Sequence, residues 1–165
     1  IKSSAASDVY KRQNFSNIQL HERNGRKSKV AISAGRLESV KGYNRLIAAW
    51  VIVAQKCPDW QLEIWGEGSL RESLQRQIDA LHLSSVVHLK GVSPSIGEVY
   101  SHSSFFVMSS LYEGFPLVLV EAMNCGLPCV SFDITGANSI IDNGKNGFLV
   151  PDNCLLYTSQ SPRDA

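Results

Sequence analysis

Short apolar runs that alternate with amphipathic stretches are the feature that most narrows the fold. Lys29 to Ala34, Gln61 to Trp65, Val86 to Leu89, Phe105 to Met108, Pro128 to Phe132 and Phe148 to Val150 read as strands, with glycine at or near the end of the first three. Several are apolar on successive residues, as burial on both faces of a parallel sheet requires. Between them, Tyr43 to Gln55 places Tyr43, Leu46, Ile47, Trp50, Val51 and Ala54 on one helical stripe. Ser69-Leu70-Arg71-Glu72 has the form of a capping box and predicts a helix with Leu70, Leu74, Ile78 and Leu81 on one face. Ser93-Pro94 predicts a short helix to about His102 with proline in its first turn. Pro116 to Asn124 reads as a helix stopped by Gly126, and a last short helix is expected near Asn138 to Ile141. Strand and helix thus alternate about five times, which implies a parallel sheet with helices on both faces. The expected fold class is α/β, a Rossmann-like doubly wound sheet.

Composition sets the outer bounds. A chain of 165 residues, 44% hydrophobic and 19% charged, can bury its own core and is neither disordered nor fibrous. With 16 basic and 15 acidic residues the net charge is +1, so the electrostatic argument for a nucleic-acid partner is missing. No apolar run approaches the ~20 residues of a membrane span. The cysteines Cys57, Cys125, Cys129 and Cys154 form no C-x-x-C pair, which speaks against a zinc site. Cys125 and Cys129 lie in an apolar stretch and read as buried thiols, pointing to a reducing, cytoplasmic compartment.

The ends do not match the middle. Residues 1–14 and 154–165 are polar, lack apolar periodicity and resemble translated vector or adapter bases, so both are expected to be non-native or disordered. Residues 15–28 read as a linker, leaving 29–153 as the domain.

In a doubly wound sheet, ligands bind outside the carboxyl ends of the strands. Those ends here hold Gly35-Arg36, Gly66-Glu67-Gly68, Gly91, Ser109 to Pro116 and Asp133 to Gly136. Tight turns alone would account for Gly66 and Gly91. They do not account for Glu121, the only charged residue between Glu113 and Asp133, set among Leu117, Val118, Leu119, Val120, Ala122 and Met123. A helix apolar all round is expected to be buried, and a carboxylate there needs partners. Its side chain leans toward the helix N-terminus and the mouth of the site. Glu113 precedes that helix, Gly114 lets backbone approach a ligand, and Pro116 at the first helical position leaves the next N–H groups for an anion. Arg36 and Lys41, after the first strand, are the candidate phosphate cations.

A P-loop, a third dinucleotide-fingerprint glycine, a nucleophile elbow and an Asp-x-Asp pair are all absent. His82, His88 and His102 are scattered and read as surface or satisfied histidines. A flavodoxin-like or regulatory domain, or a module that only binds a nucleotide, stays open at this point.

The segment Glu113-Gly-Phe-Pro-Leu-Val-Leu-Val-Glu121, an E-x7-E motif, joins Gly35-Arg36-Leu37, Lys41-Gly42, Ile64-Trp65-Gly66-Glu67-Gly68, Gly126-Leu127-Pro128 and Asn143 to Phe148. Together, from Val30 to Pro151, they resemble the family 4 retaining glycosyltransferases of the GT-B fold. The resemblance implies transfer of a hexose from a nucleotide diphosphate sugar, UDP- or GDP-linked, to a glycan or lipid-linked acceptor. No metal and no other cofactor is implied. Arg36 and Lys41 would hold the diphosphate, Glu121 the ribose hydroxyls, and Glu113 would sit beside the sugar. Backbone N–H groups of Gly114, Phe115 and Leu117 would contact sugar and phosphate, and Gly91-Val92 would border the base. Catalysis would fall to Glu113, Arg36 and Lys41. Family members often carry Glu where this chain has Ser139, and they have two Rossmann-like domains in a longer chain. The expectation is therefore a donor-binding half, inactive alone, lacking its N-terminal acceptor domain and a closing C-terminal helix. A cytoplasmic enzyme, peripheral to the inner membrane face when full-length, is the implied setting.

Overall fold

A computed structural model describes residues 28–151. The expectations for residues 1–14 and 154–165, most of the 15–28 linker and Cys154 lie outside the described residues. Six parallel strands form one sheet: β1 (Val30–Ala34), β2 (Gln61–Trp65), β3 (Val87–Gly91), β4 (Phe105–Met108), β5 (Cys129–Phe132) and β6 (Gly147–Val150). Their order is β3-β2-β1-β4-β5-β6. Five α-helices connect them: α1 (Tyr43–Lys56), α2 (Arg71–Ala80), α3 (Ile96–His102), α4 (Leu117–Asn124) and α5 (Thr135–Asn138). The chain is an α/β, doubly wound, Rossmann-like domain, as the alternation of runs predicts.

The register explains why β1 is apolar throughout. It pairs with β2 on one side and β4 on the other, which makes it internal to the sheet, and helices cover both of its faces. On one face α1 and α2 bury Tyr43, Leu46, Ile47, Trp50, Leu74 and Ile78 against Ala31, Leu62 and Ile64. On the other, α3, α4 and α5 bury Tyr100, Leu119, Ala122 and Ala137 against Ile32, Ala34, Phe106 and Cys129. Beyond the helices the two faces differ. Over β2 and β3 the open face is polar, with Glu63 bonded to the Trp65 indole at 3.0 Å and His88 to Gln61 at 2.9 Å. Over β4–β6 the open face is apolar: Val107, Val130, Phe132 and Val150 are half-buried and Phe148 is 58% exposed. Cys125 and Cys129 are buried free thiols and Cys57 is exposed, and burial pushes the Cys129 thiol up to about 12.

Several local expectations shift. The Ser69 capping box does not form. The Ser69 amide and hydroxyl both donate to the Glu38 carboxylate, at 3.1 and 2.9 Å, so the loop after β2 is tied to the loop after β1 and α2 starts from Leu70 without a side-chain cap. Leu81 is not on the buried face of α2. It is 37% exposed, because the chain turns at His82 (φ 56°) and buries Leu83 instead. Strand β3 extends to Gly91, with a register shift opposite Ile64 and Trp65. Helix α3 begins at Ile96, after a turn in which the Ser93 hydroxyl accepts the Ser95 amide at 3.1 Å. Helix α4 begins at Leu117 with Pro116 as its cap rather than its first residue. It is not buried all round, since Leu117 is 42% exposed. Helix α5 starts earlier than expected, at Thr135, where the Asn138 side chain donates to Asp133 at 3.0 Å.

Gly66 has a structural role that does not need a ligand. A Cβ there would lie 1.9 Å from the Gly35 carbonyl oxygen, at a φ of +140°. Gly114 has nothing within 4 Å of a Cβ. Gly66→Ala is therefore expected to destabilise the chain by at least about 2 kcal/mol in urea unfolding, from overpacking and backbone strain together. Gly114→Ala should stay within about 0.5 kcal/mol of wild type.

Candidate functional site

The strand order reverses between β1 and β4, and a doubly wound sheet opens a crevice at such a point. The loops leaving these two strands are locked together there. Gly42, at φ +63°, lies so close that a Cβ would meet the Ser109 carbonyl oxygen at 2.2 Å. The Ser109 hydroxyl donates to the Lys41 carbonyl at 2.9 Å, and the Leu111 amide to the Val40 carbonyl at 2.8 Å. This contact brings the Lys41 ammonium onto the Glu113 carboxylate as an ion pair, across 72 residues of sequence. The two side chains are only 19% and 14% exposed. The Ser110 hydroxyl donates to the same Glu113 oxygen at 2.8 Å. From the far side, Gly136 sits against the Glu113 backbone, where a Cβ would be 2.4 Å from its carbonyl oxygen.

Beneath the pair lies Tyr43, the first residue of α1, 3% exposed and hydrogen-bonded to Ser33. Burial, with a smaller contribution from the Glu113 charge, pushes its phenol well above the ordinary range. Gly35 passes close to the Tyr43 hydroxyl and the Lys41 side chain.

Glu113 leads through exposed Gly114 and half-buried Phe115 into the N-terminus of α4. The Leu119 and Val120 amides bond the Pro116 carbonyl, so the helical amides without an intrahelical partner are those of Leu117 and Val118. Glu121 lies one turn beyond Leu117 on the same open stripe, half-buried, and its carboxylate has no hydrogen bond or ion pair among the described residues. Burial alone raises its carboxyl above the usual range.

The other expected residues share this edge without touching the pair. Arg36 is exposed, and its charge helps hold the Glu38 carboxyl low, after the two Ser69 hydrogen bonds that contribute more. Gly91 is buried at φ +78° with its carbonyl accepting the Gly66 amide at 2.7 Å, and Val92 is 73% exposed. The Ser139 hydroxyl donates to the Gly136 carbonyl at 2.9 Å, closing the α5 turn. Tyr43 fits a core stripe and is not legible as a site residue. Ser110 and Gly136 fall in segments expected at the ligand edge, but their contact with Glu113 is revealed only by the fold.

Because charge on Glu121 is disfavoured by burial, its ionisation opposes folding above its raised folded value, and that penalty fades as pH falls toward the unfolded value. Glu121→Gln is therefore expected to raise the urea midpoint at neutral pH, by a margin that vanishes below the ordinary carboxylate range. A pH-independent margin would show that desolvation of this carboxyl is not the cause.

Comparison with known proteins adds to this geometry. Residues 16–155 match the model of the glycosyl transferases group 1 family. An uncharacterized glycosyltransferase of Haemophilus influenzae is 36% identical over 127 residues, covering 76% of this chain and 36% of the relative. The GtfA subunit of the UDP-N-acetylglucosamine–peptide N-acetylglucosaminyltransferase of Streptococcus gordonii is also 36% identical over 127 residues, 76% of this chain and 25% of that protein. The crystal structure of the pneumococcal O-GlcNAc transferase GtfA in complex with UDP and GlcNAc superposes with a TM-score of 0.75 at 31% identity, covering 81% of this chain and 26% of that one. The chain thus spans about a quarter to a third of the length of these relatives. The sheet order, with its reversal between β1 and β4, and these matches agree, and the chain belongs to the glycosyl transferases group 1 family, with the Rossmann-like architecture of a GT-B glycosyltransferase domain.

Proposed function

We propose that this chain is the donor-binding half of a retaining glycosyltransferase of the family 4 type, which moves a hexose from a nucleotide diphosphate sugar to a glycan or lipid-linked acceptor. The observation that carries this is the Lys41–Glu113 pair, assembled from the loops after the two central strands at the N-terminus of α4. The pneumococcal GtfA complex with UDP and GlcNAc supports a UDP-linked donor, with a GDP-linked one as the other choice.

The chemistry follows from where charge develops. Breaking the bond between the anomeric carbon and the phosphate oxygen leaves negative charge on the departing diphosphate and positive charge on the sugar ring. Lys41, Arg36 and the backbone amides of Gly114, Phe115 and Leu117, at and just before the N-terminus of α4, stabilise the diphosphate. Lys41 exchanges Glu113 for phosphate as the donor enters, which frees the Glu113 carboxylate for the sugar. Glu121 accepts the ribose hydroxyls, and Gly91-Val92 borders the base. The absence of an Asp-x-Asp pair from the sequence is in keeping with a metal-independent reaction. Acceptor binding belongs to a further domain, so the chain alone binds donor without turnover, and the full-length enzyme works in the cytoplasm at the inner membrane face.

Calorimetry with UDP and GDP tests the assignment. Arg36→Ala and Lys41→Ala are each expected to weaken nucleoside diphosphate binding by about 2 kcal/mol, roughly thirtyfold. Unchanged affinity in both variants would remove these cations from the site.

A further inference from the structure

Glu113 and Glu121 differ in what surrounds them. Glu113 has the Lys41 ammonium and the Ser110 hydroxyl, whereas Glu121 is half-buried with no bonded donor among the described residues. A complementary deficit lies in the adjoining core. Tyr100, on α3, is 1% exposed and stands edge-on to Phe106 with ring centroids 5.9 Å apart. Its hydroxyl is buried and has no hydrogen-bond partner among the described residues. Such orphaned donors are rare in folded proteins and call for an explanation. Helix α3 packs on α4, and Tyr100 shares a core cluster with Leu119, Ala122 and Cys125, which flank Glu121.

The titratable groups felt by that hydroxyl are Glu121 and Cys125 on α4, Cys129 on β5 and Tyr43 on α1. Cys129 donates its S–H to the Leu127 carbonyl, and Tyr43 is bonded to Ser33. The Cys125 thiol is a weak acceptor. The carboxylate is the strongest acceptor of the set, and it sits on a side chain with several rotatable bonds and one open face.

We propose that Tyr100 is the positioning residue of Glu121: its buried hydroxyl donates to the Glu121 carboxylate after a turn of the Glu121 side chain, and holds that carboxylate for the ribose of the donor. The ribose part rests on the reading of Glu121 given above. One phenolic donor occupies one lone pair and leaves the others facing outward for hydroxyls. Phenylalanine at this position would keep the packing on Phe106 and remove only the donor.

Tyr100→Phe, Glu121→Gln and the double variant separate these roles. Binding of UDP and of inorganic pyrophosphate is measured by calorimetry, and the Glu121 carboxyl is titrated by NMR in the ligand-free chain. Tyr100→Phe is expected to weaken UDP about fivefold, the loss of one ordinary hydrogen bond. Pyrophosphate, which has no ribose, should bind as before, and the loss should disappear in the Glu121→Gln background. The Glu121 titration midpoint should rise. Equal losses for UDP and pyrophosphate, or a full loss in the Glu121→Gln background, would make Tyr100 a general support and overturn the proposal. An unmoved Glu121 midpoint would overturn it as well. If the wild-type chain binds neither UDP nor GDP, the functional reading and the ribose role fall together. The titration then still decides whether Tyr100 holds Glu121.

Discussion

The contact between the loops after β1 and β4 is the constraint on which the site depends. Two strands that neighbour each other in the sheet, but lie far apart in sequence, deliver a cation and a carboxylate to one point. Neither side chain is held by its own loop alone. Gly42 against Ser109, Leu111 bonded to Val40 and Gly136 against Glu113 fix the backbones first, and the charges meet as a consequence. A partly buried ion pair is weak evidence for stability, because desolvation offsets much of its attraction. The stronger physical reason for such a pair is position: two groups are held ready in a crevice, each shielded from water by the other.

The glycines around the crevice serve the same end. Gly66 and Gly68 let the loop after β2 lie backbone against backbone with Gly35 and Leu37 of the loop after β1, and the Glu38–Ser69 hydrogen bonds tie them further. The carboxyl edge of the sheet is thus a packed rim of mutually bonded loops. Gly114 is the exception, with no atom near a Cβ, and it stands at the one place where the rim opens toward the N-terminus of α4.

Much of this architecture was legible from periodicity. Tyr43, Leu46, Ile47 and Trp50 face the core as their spacing requires, and β1 is buried along nearly its whole length as a central parallel strand must be. What failed were readings that treated a local pattern as isolated. Ser69 could cap its own helix, but the Glu38 carboxylate from another loop competes for both its donors. Leu81 fits the stripe of α2, yet the turn at His82 hands the buried position to Leu83. The apolar composition of α4 suggested burial on all sides, whereas the helix lies at the mouth of a crevice and leaves Leu117 open. The sequence motif placed Glu113 and Glu121 near each other along the chain. It carried no sign that Lys41 meets Glu113, or that Tyr43 and Tyr100 lie beneath the two acids, because those contacts exist only once the strand order is set.

The two carboxylates then occupy opposite electrostatic positions on one loop and helix. Glu113 is matched by a cation and a hydroxyl; Glu121 is desolvated and its carboxyl is pushed upward. On the proposed function this division is useful. A diphosphate arriving at Lys41 competes with Glu113 for the same ammonium, and its greater charge favours the exchange. Displacement of Glu113 then frees a carboxylate beside the sugar at the moment the phosphate is bound, so recognition of the two ends of the donor becomes one event. Glu121, with no cation to surrender, gains from any hydroxyl that replaces the water it lacks. Because it is already partly desolvated, it has less hydration to lose when donor hydroxyls bind, the direction in which a preorganised acceptor helps binding.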